Sequence, residues 1–165
     1  MADNFQIFNY ENIGVYFHES NDLFISKFIL NAGDTVRGRL GGIRLVNKAE
    51  AFIATDGDIL LGVYSMTTDA ASYLKDVRPA YNNFTNIFFD SSKLGVILDK
   101  TVETEFIGCW WSGGRDGAGN PGCTLVQTDS LVFTGSRFFN CGSNGCTVGA
   151  LSNRTTFLGC SFESN

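Results

Sequence analysis

The chain closes on TTFLGCSFESN (residues 155–165), and the six residues FLGCSF at 157–162 restate two earlier stretches, FIGCWW at 106–111 and FTGSRF at 133–138. In each, a large apolar residue recurs five positions on, and the same spacing holds in FQIFNY (5–10), ISKFIL (25–30) and FTNIFF (84–89). IATDGDI (53–59) joins the series if one extra residue is inserted, as a β-bulge would do. The same unit is therefore written seven times along the chain.

Each copy but the first follows a glycine with an apolar neighbour: Gly14-Val15, Gly42-Ile43, Gly62-Val63, Gly95-Val96, Gly122-Cys123 and Gly145-Cys146. Two residues further on comes another apolar position, as at Phe17, Leu45, Leu98, Leu125 and Val148, which is the alternation of a strand. The glycines are 28, 20, 33, 27 and 23 residues apart, so the loops vary while the strands persist, as they do in a solenoid. Successive turns would stack in parallel at ~4.8 Å, about six of them over roughly 29 Å, with their hydrogen bonds running between turns. Equivalent letters then form ladders. Phe5, Ile25, Phe84, Phe106, Phe133 and Phe157 make one inward column, and Tyr10, Leu30, Phe89, Trp111, Phe138 and Phe162 a second. The fourth letter (Phe8, Phe28, Ile87, Cys109, Ser136, Cys160) stays apolar or small and also points inward. The fifth (Asn9, Ile29, Phe88, Trp110, Arg137, Ser161) is mixed and points outward, so Phe88, Trp110 and Arg137 stack into an exposed stripe suited to a subunit or a ligand.

Composition supports an all-β reading and narrows the partners. Nineteen Gly against two Pro favour many short strands joined by tight turns. A net charge of −5 without a basic cluster argues against nucleic acid and against an acidic membrane surface. No apolar run has the ~18 to 20 residues of a membrane helix, and MADNFQIF lacks the regions of a signal peptide. The single His18 and five unpatterned cysteines offer no metal site, so no metal or other cofactor is expected and the cysteines read as free, compact hydrophobes. Cys123 and Cys146 share a column in adjacent turns.

Glycoside hydrolysis needs two carboxyl groups, ~5 to 5.5 Å apart for retention or ~6.5 to 9.5 Å for inversion. Asp56 and Asp58, around Gly57 at the expected bulge, are the first candidate pair. Glu103 and Glu105, two apart in a strand and so expected on one face, are the second. Acidic turn residues that merely keep a solenoid soluble are the plainer explanation of both pairs. Two insertions, residues 66–83 and 112–121, are expected to decorate the scaffold, and loops of this kind often bind ligand. They contribute Tyr73, Lys75, Asp76, Arg78 and Tyr81, and Arg115 and Asp116. Trp110, flanked by Arg115, Asp116, Tyr81 and Arg137, is the preferred sugar platform, with a subunit contact as its alternative.

The F-x-G-C-x-F units, the G-[ILVC]-x-[FLV] starts and passages such as GGIRLVNKAEAFIATDGDILLG (41–62) resemble the right-handed parallel β-helices of bacteriophage tailspike proteins over nearly the whole chain. That resemblance implies a single-stranded β-helix domain over residues 1–165, part of a longer spike that continues beyond Asn165. It also implies a side-by-side homotrimer in the virion tail, made in the host cytoplasm, that binds and usually cleaves bacterial O-antigen or capsule with paired Asp and Glu. A polysaccharide lyase and a non-catalytic shaft or receptor-binding segment remain open beside a hydrolase.

Overall fold

The computed structural model describes residues 1–71, 77–113 and 119–165. It is a parallel β-solenoid of about six turns, with sixteen strands among the described residues. One sheet has ten strands. It runs β1 (Ala2–Phe8), β3 (Phe24–Asn31), β5 (Ile53–Leu60), β7 (Asn83–Asp90), β10 (Trp110–Ser112), β13 (Arg137–Phe139), β16 (Ser161–Glu163), and is extended from β7 by β9 (Val102–Ile107), β12 (Asp129–Thr134) and β15 (Thr156–Leu158). The other has six: β2 (Ile13–His18), β4 (Gly41–Val46), β6 (Met66–Asp69), β8 (Val96–Asp99), β11 (Cys123–Val126) and β14 (Cys146–Val148). Every strand pairing among the described residues is parallel and joins one turn to the next. The repeat of the sequence is thus a repeat in space.

The inward columns stand as stacked rings. Phe84, Phe106, Phe133 and Phe157 lie 4.9, 5.0 and 4.8 Å apart, and Phe89, Trp111, Phe138 and Phe162 lie 4.4, 5.4 and 4.7 Å apart. These spacings match the ~4.8 Å between hydrogen-bonded strands, so backbone pairing and ring stacking impose one and the same repeat.

Between the two columns the strand turns a corner. The third letter of each unit, Asn4, Lys27, Asp56, Asn86, Gly108, Gly135 and Gly159, has φ between +48° and +60° in all seven copies. This left-handed conformation suits Gly, Asn and Asp, which is why the later units read F-x-G. In the upper turns the glycine splits the leg into two strands, as between β9 and β10; in the lower turns β3, β5 and β7 run through the corner. The residue after the corner points inward: Phe5, Phe28, Gly57, Ile87, Cys109, Ser136, Cys160. Its polar members share a task. Cys109 Sγ donates to the Phe84 carbonyl, Ser136 Oγ to that of Phe106 and Cys160 Sγ to that of Phe133, each 3.3 Å away in the preceding turn. These cysteines are small hydrophobes that also satisfy a buried carbonyl. All five are free, and Cys123 stacks on Cys146 as expected.

Four expectations are corrected. The first copy is shifted by three residues: Ala2 and Ile7 pair into the columns assigned to Phe5 and Tyr10, Phe5 replaces Phe8 after the corner, and Phe8 is exposed. No residue is inserted at 53–59, because Ala54, not Ile53, faces inward, and Ala54 to Ile59 keeps the spacing. Phe52 fills the core there, 4.8 Å from Phe17 and 5.6 Å from Phe84. Gly57 lies under the Phe28 ring, which a Cβ would overlap. The strand start expected at Gly62 belongs instead to Ser65-Met66, since Ile43 pairs with Met66. Residues 66–69, expected to begin an insertion, therefore form β6.

Candidate functional site

Past the corner, alternate side chains leave the solenoid and two outward columns run along its axis. The first is Gln6, Ile29, Asp58, Phe88, Trp110, Arg137, Ser161; the second, two residues on, holds Phe8, Asn31, Leu60, Asp90, Ser112, Phe139 and Glu163. Their middle turns make an aromatic ledge. Phe88, 45% exposed, stacks on Trp110 at 5.9 Å and 19°, and Phe139 meets Trp110 edge-on at 5.6 Å. The Arg137 guanidinium lies 4.6 Å from the Trp110 centroid and 4.8 Å from that of Phe139, and donates from Nη2 to Glu163 Oε2 at 2.7 Å. That bond holds the Glu163 carboxyl below its usual range. The sequence-based stripe of Phe88, Trp110 and Arg137 is thus assembled on one face.

Two carboxylates share this face. Asp58 pairs with Phe88 and Leu60 with Asp90, so Asp58 and Asp90 are diagonal neighbours in adjacent turns. One strand spacing and two residues of rise separate their Cα atoms by ~8 Å. Asp90 accepts from Ser91 Oγ at 2.9 Å and from Ser112 Oγ. Asp58 has no hydrogen bond or ion pair among the described residues. Desolvation, reinforced by the negative charge of Asp90, raises its pKa above the usual carboxylate value. A carboxyl group with a raised pKa beside an anchored second carboxylate is the kind of asymmetry that acid/base chemistry uses.

The expected pairs are not brought together in this way. Asp56 sits on the left-handed corner, exposed, and accepts from Asn86 Nδ2 at 3.1 Å, whereas Asp58 lies beyond the corner. Glu103 occupies another left-handed corner, with φ 45°, and it and Glu105 both lie on the outer side of β9, flanking buried Thr104. Glu105 faces outward before the Gly108 corner and receives a hydrogen bond from Asn83 Nδ2 at 3.4 Å. Tyr81, with φ 56°, shares the corner column of Glu103, since Ala80 bridges to Val102. About 16 Å of strand separates Tyr81 from the corner at Asn86, so it does not join the Trp110 ledge. Arg115 and Asp116, with Tyr73, Lys75 and Asp76, lie outside the described residues. Asp90, Phe139 and Glu163 were missed by the sequence reading. They stand two positions past the fifth letter, and continuing the strand alternation by one step beyond the repeat unit finds all three.

Elsewhere, Arg78 donates to the Lys100 and Gln127 carbonyls at 2.6 and 2.5 Å, which gives it a scaffold role. A cavity of about 440 Å³ lined by Asn144, Gly145, Cys146, Phe162, Ser164 and Asn165 opens at the last turn and includes none of the candidate residues. No group of three or more His, Cys, Asp or Glu side chains among the described residues is arranged to hold a metal ion. No helix among them is long and apolar enough to cross a membrane. The chain matches no protein-family model, no curated protein and no solved structure.

Proposed function

We propose that this solenoid is a tailspike-type segment that binds a bacterial surface polysaccharide, O-antigen or capsule, along the Phe88–Trp110–Phe139 ledge and hydrolyses it with Asp58 and Asp90. The observation that carries the reading is the exposed stack of Phe88 on Trp110 with two carboxylates on the same face. The exposed rims of these stacked rings offer apolar surface to the C–H groups of sugar rings, and the carboxylates accept from hydroxyl groups. Asp58, which keeps its proton to higher pH, is the general acid toward the leaving oxygen; Asp90, oriented by Ser91 and Ser112, is the base that activates water. With their Cα atoms ~8 Å apart, the two carboxyl groups can take the wider spacing that inversion with an intervening water needs.

Purified O-antigens and capsules incubated with the protein should yield new reducing ends. Trp110→Ala should abolish binding, while Asp58→Asn and Asp90→Asn should bind but not cleave. Binding undiminished in Trp110→Ala would remove the ledge from the site, and bound but uncleaved polymer would reduce the function to a receptor-binding shaft. A product absorbing in the ultraviolet from a new double bond would replace hydrolysis by lyase chemistry.

We also propose that the protein acts in a virion tail as a side-by-side homotrimer. Supporting this, the outer face before the corner is broad and bears exposed Ile53, Ile107 and Leu158 beside Thr55, Thr85 and Thr134. Light scattering that returns the mass of one chain would refute the trimer.

A further inference from the structure

We infer that the ledge selects polymers with uncharged repeat units and disfavours sugars that carry a carboxylate, such as uronates and sialates. This rests on the binding reading above and adds the chemical class of the ligand. Among the described residues of the two outward columns, the charged groups are Asp58, Asp90, Glu163 and Arg137. Three are acids. The one cation is already engaged: Glu163 takes Nη2 at 2.7 Å, Trp110 and Phe139 cover the guanidinium, and Nε is buried without an acceptor. Arg137 therefore offers no open fork to a sugar carboxylate, the pairing by which arginine ordinarily recognises that group.

A sugar lying on Trp110 also stands one strand from Phe88 and Asp90, and two strands from Asp58. Spacings of ~5 to 10 Å place it within about one Debye length of both acids at physiological salt. At ~7 to 8 Å in water the charge of Asp90 weakens binding of a like charge ~2- to 3-fold, and Asp58, two strands away, adds less. Uncharged sugars meet no such penalty and still gain the ring contacts and the carboxylate acceptors.

The test uses immobilised bacterial O-antigens and capsules with uncharged repeats, together with uronate- and sialate-bearing polymers, each beside its own carboxyl-reduced form. Reduction converts the carboxylate to an alcohol and leaves the sugar linkages in place. Binding should be found on uncharged repeats, and any reduced polymer that binds should do so ~3-fold more tightly than its acidic parent, the gap shrinking as salt is raised. Glu163→Gln, a change at an exposed site, should close or narrow the gap by removing one acid and releasing Arg137. An acidic parent bound as tightly as its reduced form, or more tightly, overturns the inference while leaving polysaccharide binding intact. A gap that Glu163→Gln leaves unchanged overturns the role given to the Arg137–Glu163 pair. Binding to none of the polymers refutes the binding reading itself, and this inference falls with it.

Discussion

Replacing Lys27 by glycine is expected to stabilise the protein, although Lys27 lies within β3, where glycine would ordinarily weaken a strand. Lys27 has φ 48°, is exposed, and occupies the corner column that is glycine at 108, 135 and 159. An L-residue pays ~1 to 2 kcal/mol for the left-handed conformation. Glycine gives back ~0.5 to 1 kcal/mol through its greater freedom in the unfolded chain. The net gain is ~0.5 to 1 kcal/mol, which for a chain of this size raises Tm by ~1 to 4 °C. Thr55→Gly supplies the control, because Thr55 is an outward residue of β5 without positive φ and should lose ~0.5 to 1 kcal/mol. Urea melts of both variants followed by far-ultraviolet circular dichroism decide the matter through the sign of the change. A Lys27→Gly variant that loses stability as Thr55→Gly does would refute the corner, and with it the register of the lower turns.

Other outcomes follow from the same geometry. Trp111→Ala, which removes a fully buried ring between Phe89 and Phe138, should cost ~3 to 5 kcal/mol in a denaturant melt. Cys109→Ser should be tolerated because Ser136 does the same work one turn on, whereas Cys109→Val strands the Phe84 carbonyl and should cost ~1 to 3 kcal/mol. Burial pushes the Cys109 thiol up to about 12 and raises that of Cys123, so iodoacetamide at pH 8 should modify Cys146 and Cys160 in the native protein and reach buried Cys109, Cys123 and Cys141 only on unfolding; early labelling of Cys109 would contradict the packing. Because the folded state raises the pKa of Asp58, it binds that proton more tightly than the unfolded chain does, and stability falls as pH rises from the ordinary carboxylate range through the raised value. Asp58→Asn should accordingly raise Tm at pH 7 and leave it unchanged near pH 3, where both side chains are neutral.

The fold was legible because two inward columns must be filled in every turn, and aromatic residues five apart filled them from Phe84 onward. Misreadings arose where volume moved between columns. Ile53 looked like the core residue of its copy, but Phe52, on the neighbouring inward position, takes the space and leaves room only for Ala54, while Ile53 turns to solvent. Size alone cannot assign a column when an adjacent one can supply the same volume. The candidate site was half legible for a related reason. Trp110 and Arg137 fall inside the repeat unit, and their exposure follows from its alternation. Asp58 and Asp90 meet across turns, in a register that depends on placing Ala54 rather than Ile53 in the first column.

Corner and ledge are physically linked. A left-handed residue in every turn keeps the two legs of the sheet at a fixed angle, so that the side chains two and four positions beyond it all leave the surface in the same direction. The strand spacing then sets how far apart those groups stand along the axis, with little dependence on loop length. Ring stacking needs about that distance. A flat, rigid face of this kind can hold an extended polymer over several turns without reorganising, and the ionised Asp58 that it disfavours is kept there by the register of its neighbours. Asp58→Asn therefore tests function and fold together, since it is expected to stabilise the protein while abolishing cleavage.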